Sequence, residues 1–176
     1  HIDIIYALDA SGSMRGKKIS MCKKAGVALA FNAIEKKDKV GLMGFGSAIK
    51  KIVEPTDDFM MLLKEITGII ATTQTNLTET LKKAIELFHS RDASKHLVLI
   101  TDAMPTIGNN PSKDALEAVS LIRDAGITLS IVGIMLTKEA EQLAKQMVEI
   151  SQGKLLICRE LENLDALILE DYYAAI

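Results

Sequence analysis

The 176 residues carry 21 Lys plus Arg against 23 Asp plus Glu, a formal net charge of −2, with 48% hydrophobic and 25% charged residues. This is the composition of an ordinary globular domain, and 176 residues suffice to fold as one domain, 1–176, without a disulfide or a metal to hold it. With no basic excess, 4% aromatic residues and no Trp, duplex binding and base stacking are excluded, and no nucleic-acid partner is expected. Cys22 and Cys158 lack the spacing of a disulfide framework or a zinc site and read as core thiols, which favours a reducing, cytoplasmic setting. No apolar run reaches the ~18 residues that would cross a bilayer, so no membrane is expected for the visible chain. It opens at His1 directly in strand-like sequence, which suggests an excerpt from a longer polypeptide or a processed protein.

Taken in chain order, Ile2 to Leu8 is an apolar, β-branched run broken only by Asp3 and predicts a buried strand. It ends at the turn-rich Asp9-Ala-Ser-Gly-Ser-Met. Ile19, Cys22, Gly26, Leu29 and Ala33 then recur at helical spacing, predicting a helix over about 16–36, with Lys17, Lys18, Lys23, Lys24, Lys36 and Lys37 mostly on its solvated side. Val40–Phe45 and Ile49–Val53, joined by Gly46-Ser47, predict an antiparallel hairpin that Pro55 ends. Asp57-Asp58 offers an N-cap for a helix to about Ile66, and Thr72–Asn76 forms a polar turn before a helix over Leu77–Phe88. His96–Thr101 reads as a strand ending at Asp102, Pro111–Asp124 as a helix followed by Gly126, Ile127–Ile134 as a strand, and 138–151 as a helix followed by Gly153. Leu155–Cys158 and Leu161–Tyr173 close the chain as strand and helix. The alternation after the hairpin predicts an α/β, doubly wound, Rossmann-like fold. Its six-stranded sheet is mainly parallel with one antiparallel edge strand, and helices cover both faces.

Ligands of open α/β sheets bind beyond the carboxyl ends of the strands, at the switch point. There the sequence places Asp9, Ser11 and Ser13 after the first strand, Asp102 after the fourth, and Thr75 with Asn76 in the loop entering a helix. Carboxylates and hydroxyls without Cys or His suit a hard dication rather than zinc or copper. Two carboxylates match its charge. Hydroxyl ligands leave the ion electrophilic, and positions filled by water leave room for a carboxylate from another molecule.

These residues carry a resemblance. Asp9-Ala-Ser-Gly-Ser-Met matches the D-x-S-x-S core of the von Willebrand factor A (VWA) domain, Thr75-Asn76-Leu77 looks like that family's threonine loop, and Ile100-Thr-Asp102 like its distal aspartate. The resemblance runs over essentially the whole chain. It implies a metal-ion-dependent adhesion site (MIDAS) for Mg2+ or Mn2+, with Ser11, Ser13 and Thr75 at or near direct contact and Asp9 and Asp102 acting through waters or changing with ligand state. It also implies binding coupled to a shift of the last helix. The sequence departs from the family at Thr73 and Gln74, where a double glycine is common, and at Ala103, where glycine often follows the aspartate. Both bear on loop shape and affinity rather than on the ligand set. Ile100–Ile134 is also similar to intracellular members such as the A domain of magnesium-chelatase-type assemblies.

The expected function is therefore a binding module that grips an Asp or Glu of a protein partner, and not an enzyme. Other domains of a parent protein, or an AAA+ ATPase, are candidate partners. Two alternatives stand beside it. One is metal-assisted phosphoryl transfer with Asp9 as nucleophile, which the absence of a second Asp at Ser11 and of a lysine ending a later strand argues against. The other is a VWA scaffold in an ATP-driven metal-insertion or chaperone-like assembly. Around the site, Arg15 (with Lys17) offers rim contacts or solvated charge, and Met14 and Met104 offer an apolar contact or packing under the loops. Asn76 is a helix cap or a site neighbour. His89 and His96 are expected at the surface or at helix ends.

Overall fold

Ile4, Tyr6 and Leu8 alternate with Ile5 and Ala7 along β1 (Ile2–Asp9), and all eight of its residues are buried. A strand buried on both faces must be central in its sheet. In the computed structural model, which describes residues 1–46, 49–72, 76–103 and 109–176 (for 49 and 50 the backbone alone), it is. A short turn of 3-10 helix at Gly12–Met14 leads into α1 (Lys17–Glu35), followed by β2 (Lys39–Phe45), β3 (Ile49–Thr56), α2 (Phe59–Thr67) and α3 (Leu77–Leu87). Then come β4 (Ser94–Thr101), α4 (Pro111–Asp124), β5 (Ile127–Ile134), α5 (Lys138–Ser151), β6 (Leu155–Cys158) and α6 (Leu164–Ala175).

The sheet has the order β3-β2-β1-β4-β5-β6, with β3 antiparallel to β2 and every other pair parallel. This is the expected VWA-type Rossmann-like architecture. One layer packs Ile4, Tyr6 and Leu8 against α1, α2 and α6, and the other packs Ile5, Ala7 and Phe45 against α3, α4 and α5. Each fully buried large side chain in these layers contributes roughly 1.5–3 kcal/mol. Gly26 lets α1 lie close on the sheet, because a Cβ there would stand 2.8 Å from the Tyr6 ring. The Tyr6 hydroxyl donates to the Cys22 carbonyl at 2.6 Å, so the buried phenol keeps a partner. Cys22 and Cys158 are free and buried, as expected. Among the described residues no helix is long and apolar enough to cross a membrane.

The structure corrects three expectations. Pro55 does not end the hairpin, since β3 continues to Thr56. The strand lies at the sheet edge and its register with β2 shifts between Val40 and Leu42, a place where a missing N–H is tolerated. The last helix is preceded by a separate 3-10 turn, Leu161–Asn163. His96 is not at the surface. It is 5% exposed, and its Nε2 lies 2.7 Å from Asp171 Oδ2 of α6. Ser130 donates to the other oxygen of that carboxylate at 2.8 Å. The next residue, Tyr172, donates to Asp38 Oδ2 at 2.7 Å, while Asp38 Oδ1 accepts from the backbone of Ile2 at 2.9 Å. Two adjacent buried residues of α6 are thus tied to the body of the domain by polar contacts.

Candidate metal centre

The chain runs outward from β1 to β3 on one side and from β4 to β6 on the other, so the switch point lies between β1 and β4. Asp9 ends the first of these strands, and Asp102 follows the last residue of the second. The Asp9 side chain is buried, with both oxygens engaged. Oδ1 accepts from the backbone N–H of Ser11 at 2.8 Å, and Oδ2 from the Thr101 hydroxyl at 2.7 Å. The first contact is the side-chain turn that Asp makes readily two residues on, so Asp9 shapes its loop as well as charging it. Burial pushes the Asp9 carboxyl above its usual range, against the hydrogen bonds from Thr101 and Ser11, while the charge of Asp102 acts in the same sense as burial.

From Asp9 the oxygens continue outward. Ser11 Oγ and Ser13 Oγ are 3.1 Å apart, and Ser13 donates to Asp102 Oδ1 at 2.9 Å. Ser11 is buried and Ser13 exposed, so the row runs from the interior to solvent. Four of the five predicted ligands, Asp9, Ser11, Ser13 and Asp102, therefore come together. The fifth, Thr75, lies outside the described residues, as do Thr73, Gln74 and Met104. The chain on either side of Thr75 is nonetheless tied to the same edge: Thr72 N–H donates to the Ala10 carbonyl at 2.5 Å and Asn76 N–H to the Gly46 carbonyl at 2.7 Å. Gly46 is required by this close approach, because a Cβ there would fall 1.8 Å from Thr72 Oγ1.

The rim residues divide. Arg15 is exposed beside the serines. Met14 is fully buried in the α1 layer, so it packs under the loop and offers no contact surface. The Asn76 side chain caps α3, accepting from Glu79 N–H at 3.2 Å and donating to the Glu79 carboxylate at 2.5 Å.

Two further residues belong to the site. Thr101 orients Asp9, as described. Lys18 reaches from the first turn of α1 to Asp102 Oδ2 at 2.9 Å, although its sequence position suggests only a solvated charge. Its neighbour Lys17 pairs with Glu162. Among the described residues no three His, Cys, Asp or Glu side chains are grouped to hold an ion, so two carboxylates and two hydroxyls are the donor set there.

Comparison with known proteins follows the same lines. The chain is 25% identical over 195 residues to the inter-alpha-trypsin inhibitor heavy chain H4 of Sus scrofa, an alignment covering 97% of this chain and 19% of that one. It is 26% identical over 140 residues to the magnesium-chelatase 60 kDa subunit of Cereibacter sphaeroides, covering 73% of this chain and 25% of the relative. It thus spans a quarter or less of the length of these relatives. The vWF domain of the type V pili tip protein Mfa5 from Porphyromonas gingivalis superposes with a TM-score of 0.84 at 12% identity, covering 99% of this chain and 94% of that one. Proximal thread matrix protein 1 from the mussel byssus, in a structure with a zinc-occupied MIDAS motif, superposes with a TM-score of 0.78 at 20% identity, covering 99% and 48%. The family model of the von Willebrand factor type A domain matches residues 3–167. The chain belongs to the von Willebrand factor type A domain family.

Proposed function

We propose that this domain binds a protein partner through a divalent cation, Mg2+ or Mn2+, held by Asp9, Ser11, Ser13, Thr75 and Asp102 and completed by an Asp or Glu of the partner. Domains of this family commonly mediate protein–protein interaction. The observation that carries the reading is the continuous row of oxygens at the switch point. Ser11 Oγ, Ser13 Oγ and Asp102 Oδ1 are spaced at 3.1 and 2.9 Å. Adjacent ligands of an octahedral magnesium ion, each about 2.1 Å from the metal, stand about 3 Å apart, so the spacing fits. The all-oxygen donor chemistry fits as well, and a structural neighbour carries zinc in its MIDAS motif. The ion would supply an electrophile for the partner's carboxylate. Asp9, held by Thr101 and Ser11, would supply charge from beneath. Its two engaged oxygens favour this role over that of a nucleophile, and we assign the domain no catalysis.

The relatives are much longer than this chain, so other domains of a parent polypeptide are candidate partners. The magnesium-chelatase relative keeps an ATP-driven assembly among the candidates. The two buried free cysteines agree with a reducing, cytoplasmic setting.

Calorimetric titration of Mg2+ and Mn2+ into chelator-stripped protein tests the reading. One-site binding is expected, weakened at least about tenfold in Ser13→Ala, since a lost charge-assisted contact costs about 1.5–3 kcal/mol. Ser13 is exposed, so this variant folds. Equal binding by wild type and variant, or no binding by either, would reject the reading.

A further inference from the structure

We infer that Lys18 is a tethered ammonium that competes with a cation for the Asp102 carboxylate and so sets how tightly the site takes that cation; this rests on the metal reading above and specifies how that site is regulated. The first turn of α1 is a poor place for positive charge. Unpaired N–H groups already make that end of a helix positive, and each added cation there costs a few tenths of a kcal/mol at the surface. Yet α1 opens with Lys17 and Lys18, with no acidic residue in the turn to offset them. Each lysine is instead matched in space, and to a different partner. Lys17 pairs with Glu162, and both side chains are more than 60% exposed. Such a contact contributes little. Lys18 pairs with Asp102, whose side chain is only 4% exposed, while its own is 27% exposed. The second pair is far less screened by solvent, so the mutual attraction of its two charges is stronger.

Its placement gives this pair a consequence that the Lys17 pair lacks. Asp102 presents one oxygen to the Ser13 hydroxyl and the other to Lys18 Nζ, each at 2.9 Å. Both oxygens of the distal carboxylate are therefore engaged by side chains of this domain. With Lys18 counted, the charge of Asp9, Asp102 and Lys18 together is −1 rather than −2. An incoming dication must draw Asp102 away from the ammonium or accept a positive charge beside it, and either lowers its affinity. The four-carbon stem of lysine allows withdrawal without moving the helix. The pair is a built-in competitor that offsets the charge of Asp102 and leaves the domain selective for conditions in which divalent cation is abundant or a partner carboxylate helps to hold it.

The test compares Lys18→Met, which keeps most of the stem and removes the charge, with Lys17→Met as a matched control for loss of one positive charge nearby. Mg2+ affinity of chelator-stripped protein is read by calorimetry, and melting of the metal-free protein confirms that each variant folds. Lys18→Met should bind Mg2+ about tenfold more tightly than wild type, with Lys17→Met within about twofold of wild type, since tenfold corresponds to a charge interaction of ordinary size. If wild type binds and Lys18→Met binds equally or more weakly, the inference fails while the metal reading stands. If Lys17→Met tightens binding as much as Lys18→Met, the effect is general electrostatics and the inference fails. If neither wild type nor Lys18→Met binds, both fall together.

Discussion

Gly46 shows how a residue without functional groups shapes the centre. The loop holding Thr72 is drawn against the end of β2 so closely that a methyl group at position 46 would collide with the Thr72 hydroxyl, which itself donates to the Ala10 carbonyl at 3.2 Å. Gly46→Ala must push that loop outward. We expect a loss of about 1–3 kcal/mol in stability, the usual cost of overpacking, together with at least about fivefold weaker Mg2+ binding, read by melting and calorimetry on the same sample. Undiminished affinity would show that this approach does not set the site. At this scale the sequence is informative about which oxygens converge at this edge and much less so about what surrounds them. Asp9, Ser11, Ser13 and Asp102 are legible because a strand's carboxyl end and its turn place short polar side chains predictably. Lys18 is not, because its partner lies 84 residues away. Nor is Thr101, whose role depends on pairing across to Asp9. Met14 reads as a rim residue because nothing in a turn-rich segment shows which side of a single 3-10 turn faces the core.

The helices and strands are legible wherever their hydrophobic period is long. Each predicted element exists, and most ends agree within one or two residues with those observed. Pro55 reads as a terminator because its tolerance depends on β3 being an edge strand, a property of the assembled sheet. His96 reads as a surface residue because its cover is α6, more than 70 residues on. That helix is held by Asp171 and Tyr172, and the second contact is testable. Burial, and then the hydrogen bond to the Asp38 carboxylate and that group's charge, hold the Tyr172 phenol above its ordinary value, which is about 10. The folded state thus keeps a proton that the unfolded state sheds. The contribution is fully present below about pH 10 and is lost as the pH rises through the folded-state value. Tyr172→Phe leaves one oxygen of buried Asp38 without its donor and should cost about 1–2 kcal/mol at neutral pH. Denaturant melts at neutral pH and above about pH 10 check this: the difference between wild type and variant should shrink as the pH rises. A difference independent of pH would mean that the phenol's proton plays no part in holding α6.

For the whole molecule, topology decides where chemistry can occur. A parallel sheet entered at β1 and re-entered at β4 leaves one crevice between outward-running halves, and the charged loops gather there. Two apolar layers of helices support this edge, and α6 is tied down through the starts of β1 and β4 by way of Asp38 and His96. The core is extensive enough that folding does not depend on an ion, so a cation at the proposed site would serve binding rather than architecture. The most direct test of the metal centre is a crystal of the domain grown with Mn2+, with the metal located by its anomalous scattering. One strong peak is expected within about 2.3 Å of Ser11 Oγ and Ser13 Oγ, with Asp9 and Asp102 beside it and Lys18 Nζ withdrawn from Asp102. A crystal saturated with Mn2+ that shows no peak between β1 and β4, or a peak elsewhere with the Lys18–Asp102 pair intact, would contradict the assignment.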